Sequence, residues 1–166
     1  MTTEAISSPD LSPAMLRQAF GSFATGVTVI TTRDANGTLV GLTANSFSAV
    51  SLNPPLLLWC ISLTTPSFGA FRDCSHYAIN VLSADQEEIS NRFANPSPNK
   101  FAGLDYSIGA GGAALLNGSI ATFECRNTHR YPGGDHLIMV GEVENYRVNM
   151  DTPLLFFASK YAGLQP

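Results

Sequence analysis

Charge is scarce in this chain. Lys, Arg, Asp and Glu together make up 13% of its 166 residues, about half the usual share for a soluble domain. Only nine residues are basic, and the net charge is −4. Nucleic-acid binding needs Lys and Arg clustered against phosphate, so that class of partner is set aside. Cysteine is sparse too: Cys60, Cys74 and Cys125 are an odd number with no CxxC pair. That excludes a disulfide scaffold and points to free thiols in a reducing compartment. No apolar run approaches the length of a membrane span, and the N-terminal residues lack the basic and apolar regions of a secretory leader. The expectation is a cytoplasmic protein with no membrane association. Standard catalytic signatures are missing as well: there is no GxSxG, no HExxH, and no Gly-rich loop of the P-loop or GxGxxG kind opening a helix.

What the chain does have is apolar residues, 45% of the total. With so little charge for its outside, part of its surface should be covered by a partner or by a second copy of itself. Its length suits one domain that needs no disulfide or metal to hold a core. Residues 1–11 read as a flexible polar arm and residues 12–166 as a single domain. Ser12 and Pro13 start a helix, with Leu16, Phe20 and Phe23 at helical spacing and Gly26 ending it. Val27–Thr32 is a β-branched strand, Asp34–Gly37 a hairpin turn and Thr38–Thr43 the returning strand. The run Leu56–Ser62, LLLWCIS, is apolar on both faces and is expected to be a fully buried strand. Thr65-Pro66 should open a short helix. His76–Leu82 is a strand, and Ser83 caps an acidic helix with Glu87 or Glu88 near its positive end. Ser107–Asn117 has no clear assignment. Ser119–Arg126 is a strand, His129–Asp135 a polar turn, and His136–Asn149 a long strand bulged at Gly141. Turn signals between strands, without βαβ alternation, imply a mainly β antiparallel barrel with a few short helices.

Gly41–Leu58, GLTANSFSAVSLNPPLLL, crowds Thr43, Asn45, Ser46, Ser48 and Ser51 into nine residues. Buried hydroxyls need hydrogen-bond partners. Either the chain's own turns and caps supply them, or a bound polar ligand does. His129 and His136 lie seven apart without enough neighbouring ligands for a metal site, and His76 reads as a strand-end surface residue. Cys60 and Cys125 read as small core hydrophobes. A hydroxyl-rich cradle without a catalytic side-chain set suits a protein whose chemistry resides in a cofactor.

Several stretches, in this order and spacing, resemble the short-chain flavin reductases, the reductase components of two-component flavin-dependent monooxygenases. They are FATGVTVIT (Phe23–Thr31), the Gly41–Leu58 segment, INVLS (Ile79–Ser83), RFA (Arg92–Ala94), GDH (Gly134–His136), VGEV (Val140–Val143) and PLLFFASKY (Pro153–Tyr161). The resemblance implies an FMN-binding split β-barrel working as a homodimer. It implies that Thr43, Ala44, Asn45 and Ser46 line the flavin ring, that Ser48 faces the flavin phosphate, and that Ile61, Ser62 and Ser67 add donors. Lys100 and Phe101 would lie at the phosphate or adenine end, and His136 and Tyr161 on the nicotinamide side. The bland readings are a turn for Asn45, an ordinary strand serine for Ser48, solvated surface for Lys100, strand capping for His136, and a packing aromatic for Tyr161.

The implied activity is hydride transfer from NAD(P)H to FMN or FAD, with reduced flavin supplied to a partner oxygenase. No general base is obligatory for it. Ala49 and Lys160 stand where relatives carry other residues, which leaves FMN against FAD open. The lack of a basic cluster for a 2′-phosphate favours NADH over NADPH. The rival readings are a flavoprotein holding FMN as a prosthetic group for another substrate, a non-catalytic flavin carrier, and a structural dimer module that binds no flavin.

Overall fold

A computed structural model describes residues 10–164. The proposed arm therefore lies outside the described residues except for Asp10 and Leu11. Helix α1 spans Pro13–Phe20, with the Ser12 hydroxyl accepting from the Met15 N–H. It ends at Gly21, not Gly26. The Gly21 N–H already closes onto the Arg17 carbonyl, and Thr25–Gly26 turns into a short strand, β1. Phe23 consequently leaves the helical stripe and stands 78% exposed.

Strands β2 (Thr28–Arg33) and β3 (Leu39–Ala44) form the expected hairpin. Asp34 sets its turn, its carboxylate accepting from the N–H groups of Asn36 (2.9 Å) and Thr38 (2.8 Å), while Gly37 takes the left-handed φ of 78°. β4 (Ser48–Leu52) and β5 (Pro55–Ser62) form the next pair. Helix α2 (Phe68–Asp73) has Ser67, not Thr65, at its N-cap position, without a side-chain cap bond. β6 (His76–Val81) leads through Ser83 into a short 3₁₀ turn and α3 (Glu87–Ala94). A capping box forms there, the Gln86 side chain accepting from the Ser83 N–H at 3.1 Å, and Glu87 and Glu88 lie in the first turn of α3, near its positive end as expected. The stretch without a sequence assignment forms a small hairpin, β7 (Tyr106–Ile108) with β8 (Ala114–Leu116). β9 (Ala121–Gly133) and β10 (His136–Val148) are both 13 residues long. The polar run His129–Gly133 is thus strand, and only Gly134-Asp135 turns. β11 (Leu155–Phe157) pairs with β1 on one side and with β12 (Lys160–Ala162) on the other in a three-stranded sheet.

Seven strands make the main antiparallel sheet in the order β3-β2-β6-β9-β10-β5-β4. It curls round one core, so that the edge strand β3 and the turn after it come against β5 at a seam: a split barrel. Inside lie Ile30, Leu57, Trp59, Ile61, Phe71, Tyr77, Ile79, Cys125 and Met139. β2 is buried on both faces, Ile30 toward this cluster and Val29 toward a second one with Val27, Leu82, Phe93, Leu116 and Leu154. The hydroxyls this buries are satisfied: Thr28, Thr31 and Thr32 donate to the carbonyls of Ala44, Ala114 and His76.

β5 departs from the expectation of complete burial. Leu57, Trp59 and Ile61 face the core, whereas Leu56, Leu58, Cys60 and Ser62 are only half-buried on the other side. Leucine on both faces hid a strand whose second face is only partly covered by the described residues. The bulge at Gly141 is present, with register shifting between Val140 and Gly141. Glycine is required there because a Cβ would collide with the Tyr77 hydroxyl. Cys125 is buried, and burial pushes its thiol up to about 12. Cys74 caps the end of α2 with its thiol on the Phe71 carbonyl.

Candidate functional site

A cleft of about 960 Å³ opens along the seam, within the usual range for small-molecule and cofactor sites. One wall is β3 and the turn after it, residues 38–46. The floor at one end is Cys60, Ile61 and Ser62 with Thr65–Ser67, and His136 stands beside it. The other wall is the end of α3 and the loop behind it, Phe93 and Ala94 with residues 96–102, closed by Tyr106. Among the described residues no Asp or Glu lines this cleft, and no group of three or more His, Cys, Asp or Glu could hold a metal. No described helix is long and apolar enough to cross a membrane.

The sequence expected ligand contacts from Thr43, Ala44, Asn45, Ser46, Ile61, Ser62, Ser67, Lys100, Phe101 and His136, and the fold brings all of them to this cleft. Ser48 is elsewhere: it is exposed on β4 and its hydroxyl reaches only the Ala49 carbonyl, 3.2 Å away. Tyr161 lines a smaller adjoining pocket of about 230 Å³ that shares Thr43, Ala44 and Asn45 with the main cleft. Its hydroxyl donates to the Asn91 amide oxygen (3.1 Å) and so accepts from Ser90 (2.8 Å).

The hydroxyls divide into two groups. Thr43 donates to the Ser90 carbonyl at 2.6 Å, tying β3 to α3. Ser46 accepts from the Cys60 N–H (2.9 Å) and donates to the Cys60 carbonyl (3.3 Å), pinning the seam to β5. For these two the partner is the chain itself, but across the fold and not in a local turn or cap. Asn45, by contrast, is exposed and its amide has no partner among the described residues, while the Ser67 hydroxyl makes no cap bond. The Ser62 hydroxyl meets Thr64 at 3.0 Å. His136 places Nδ1 2.7 Å from the Asp135 carboxylate, and that hydrogen bond holds Asp135 below the usual carboxylate range. Cys60 is half-buried at the cleft and not in the core as expected; burial raises its thiol pKa against the lowering effect of Ser46.

The sequence matches the model of the flavin reductase-like domain over residues 20–165. The chain belongs to the flavin reductase-like family. It is 37% identical over 163 residues to the reductase subunit HsaB of a flavin-dependent monooxygenase from Rhodococcus jostii, covering 98% of this chain and 83% of that one. It is 47% identical over 131 residues to the reductase component of the flavin-dependent trigonelline monooxygenase of Acinetobacter baylyi, covering 79% of this chain. The chain spans only 42% of the length of that relative and of one other it matches. Among solved structures, the NADH:FAD oxidoreductase SgcE6 of Streptomyces globisporus, in complex with NAD and FAD fragments, superposes with a TM-score of 0.91 at 35% identity and 98% coverage of both chains.

The residues of this flavin reductase-like chain fit a flavin on chemical grounds. The open donors are one amide and a few hydroxyls, beside the alternate backbone groups that an edge strand such as β3 leaves unpaired. That set suits an uncharged planar ring with carbonyl and imine edges. Cys60 and, on the far wall, Pro96–Asn99 and Ala102 around the expected Lys100 and Phe101 were missed in the sequence. The thiol hid inside an apolar run, and the loop is brought to β3 only by tertiary packing, so no local pattern carried the signal.

Proposed function

We propose that this chain is an NADH:flavin oxidoreductase that takes FMN or FAD as an exchangeable substrate and supplies reduced flavin to a separate oxygenase. The observation that carries this reading is the cleft itself: among the described residues polar donors line it, no carboxylate does, and His136 and Lys100 are its only side chains with basic nitrogen. Such a lining offers binding and orientation in place of acid–base catalysis. A bound flavin supplies the redox chemistry, accepting hydride from a dihydronicotinamide. The chain's part is to position the reactants, which alone can remove many kcal/mol from a two-substrate barrier. Asn45 offers its free amide to the ring's polar edge. His136, oriented by Asp135, guides the nicotinamide at the mouth. Membership of the family, and relatives named as monooxygenase reductase components, support the oxygenase partner. The absence of a free cation in the cleft supports NADH over NADPH.

The deciding experiment follows NADH oxidation with catalytic amounts of protein and no flavin, FMN or FAD. Turnover that saturates with added flavin supports the reading. Flavin binding without turnover would favour a carrier or a prosthetic-group enzyme. Asn45→Ala should weaken flavin binding about tenfold, the worth of one or two neutral hydrogen bonds. His136→Ala should instead raise the KM for NADH while leaving flavin affinity within about twofold. Equal effects of the two variants on flavin affinity would remove the division of roles.

The chain is further proposed to work as a homodimer through the uncovered face of β4 and β5. Val50 and Leu52 are exposed on the edge strand β4, Leu52 opposite Pro55 and 95% exposed, while Leu56 and Leu58 are half-buried on the outer face of β5. Sedimentation should give twice the chain mass, and Leu52→Asp should shift it toward the monomer. A monomeric wild type would dispose of the idea.

A further inference from the structure

Lys100 is the one cation on the cleft wall, and its surroundings do not suit it to a ligand's phosphate. Its ammonium donates to the Phe93 carbonyl at 2.7 Å and to the Gly41 carbonyl at 3.2 Å. The two acceptors belong to opposite walls. Phe93 is in the last turn of α3, whose terminal carbonyls have no partner within the helix and favour a cation. Gly41 is on β3, an edge strand with no neighbour on its outer side. One side chain therefore satisfies a helix end and a sheet edge at once, across the cleft's inner margin.

The packing around it is tight. The ammonium lies 5.9 Å from the Phe93 ring centroid, and Phe93 packs edge-on against Phe101 at 5.0 Å. Arg92 adds a second tie of the same kind, donating to the Ala102 carbonyl at 2.9 Å, so the loop between α3 and residue 102 is strapped at its far end as well. Partial burial pulls the Lys100 pKa below the ordinary lysine range.

Resting on the flavin reading above, we propose that Lys100 is a positioning residue that fixes the separation of the β3 wall and the 94–102 wall, and that it does not bind the flavin phosphate. Its loss should then act on the part of the ligand that every flavin shares.

The test uses riboflavin, FMN and FAD, which share a ring and differ in phosphate. Lys100→Met should weaken all three by a common factor of about tenfold, within twofold of one another. The salt dependence of FMN affinity should match that of wild type. Hydrogen exchange of the ligand-free protein should rise together in residues 39–44 and 94–102. If FMN and FAD weaken while riboflavin is unchanged, Lys100 is a phosphate ligand and the proposal fails; it also fails if neither affinity nor exchange changes. Should Lys100→Met not fold, Lys100→Arg serves. It keeps the charge with a different reach, so the proposal expects a smaller loss still common to riboflavin and FMN, and an effect on FMN alone overturns it. If wild type binds no flavin, the functional reading falls by itself, and the paired exchange in the two walls still decides whether Lys100 couples them.

Discussion

Trp59→Ala is expected to cost about 3–5 kcal/mol, the range for removing a large aromatic from a packed core. Domains of this size hold about 5–15 kcal/mol in all, so the variant should be partly unfolded well below the wild-type midpoint. Trp59 is wholly buried and stands edge-on to both Phe71 (5.3 Å) and Tyr77 (5.7 Å). It is thus the joint between α2, β5 and β6. No described partner accepts from its indole N–H, so the loss is one of packing and leaves no acceptor stranded. The effect should also reach the cleft, because Cys60 and Ile61 follow directly on the same strand and line it. Urea denaturation followed by far-ultraviolet circular dichroism measures the loss; fluorescence is unsuitable, since Trp59 is the only tryptophan. A change below about 1 kcal/mol would show that the core closes round the hole or never depended on the indole.

Gly41→Ala should be the second large effect, and it separates two properties. The backbone at Gly41 does not take a left-handed conformation, so alanine is acceptable to the chain itself. The obstacle is space: the new methyl would sit 2.5 Å from Phe93 Cε1 and 3.2 Å from Phe101 Cζ. Phe93 is buried among Val27, Val29, Leu82, Leu116 and Leu154 and has no room to swing aside. Overpacking of this kind costs about 1–3 kcal/mol. The displaced rings form the cleft wall, so flavin affinity should fall more than the stability loss alone explains, even where the protein is fully folded. Titration with FMN well below the melting transition, beside the denaturation curve, tests both. A variant with wild-type stability and affinity would show that Phe93 yields freely and that the wall is not rigid.

Most strands could be read from the sequence because their residues leave little choice. VTVITT is β-branched from end to end, and the chain on either side of it carries turn residues. Ser12-Pro13 and Ser83 marked helix starts through side chains that can satisfy free N–H groups. The errors have physical causes. β9 runs on through His129–Gly133 because β10 offers a continuous ladder, and ladder hydrogen bonds hold a polar sequence as well as an apolar one. Gly21 stopped α1 early because the backbone there docks against the β11–β12 turn, whose Ala158 N–H donates to the Gly21 carbonyl. At the cleft, the sequence showed that Thr43–Ser46 was unusual but could not show which hydroxyls the fold would engage. Thr43 and Ser46 find acceptors 47 and 14 residues away, and only the folded chain reveals that Asn45 between them is left free.

The order of the main sheet bears on how the chain is made. β5 pairs with β4 on one side and with β10 on the other, and β10 ends at residue 148. As the chain leaves the ribosome, β2 and β3 can pair at once, and so can β4 and β5. The seat beside β5 stays empty until the β9–β10 hairpin has been synthesised, and that hairpin must then insert between β6 and β5. Until residue 148 has emerged, the flank of the apolar LLLWCIS strand is exposed. Non-local pairing of this kind is slow and open to aggregation. Yield in a host cell should therefore depend on how quickly the codons for residues 121–148 are translated and on chaperones that shield β5 in the interval.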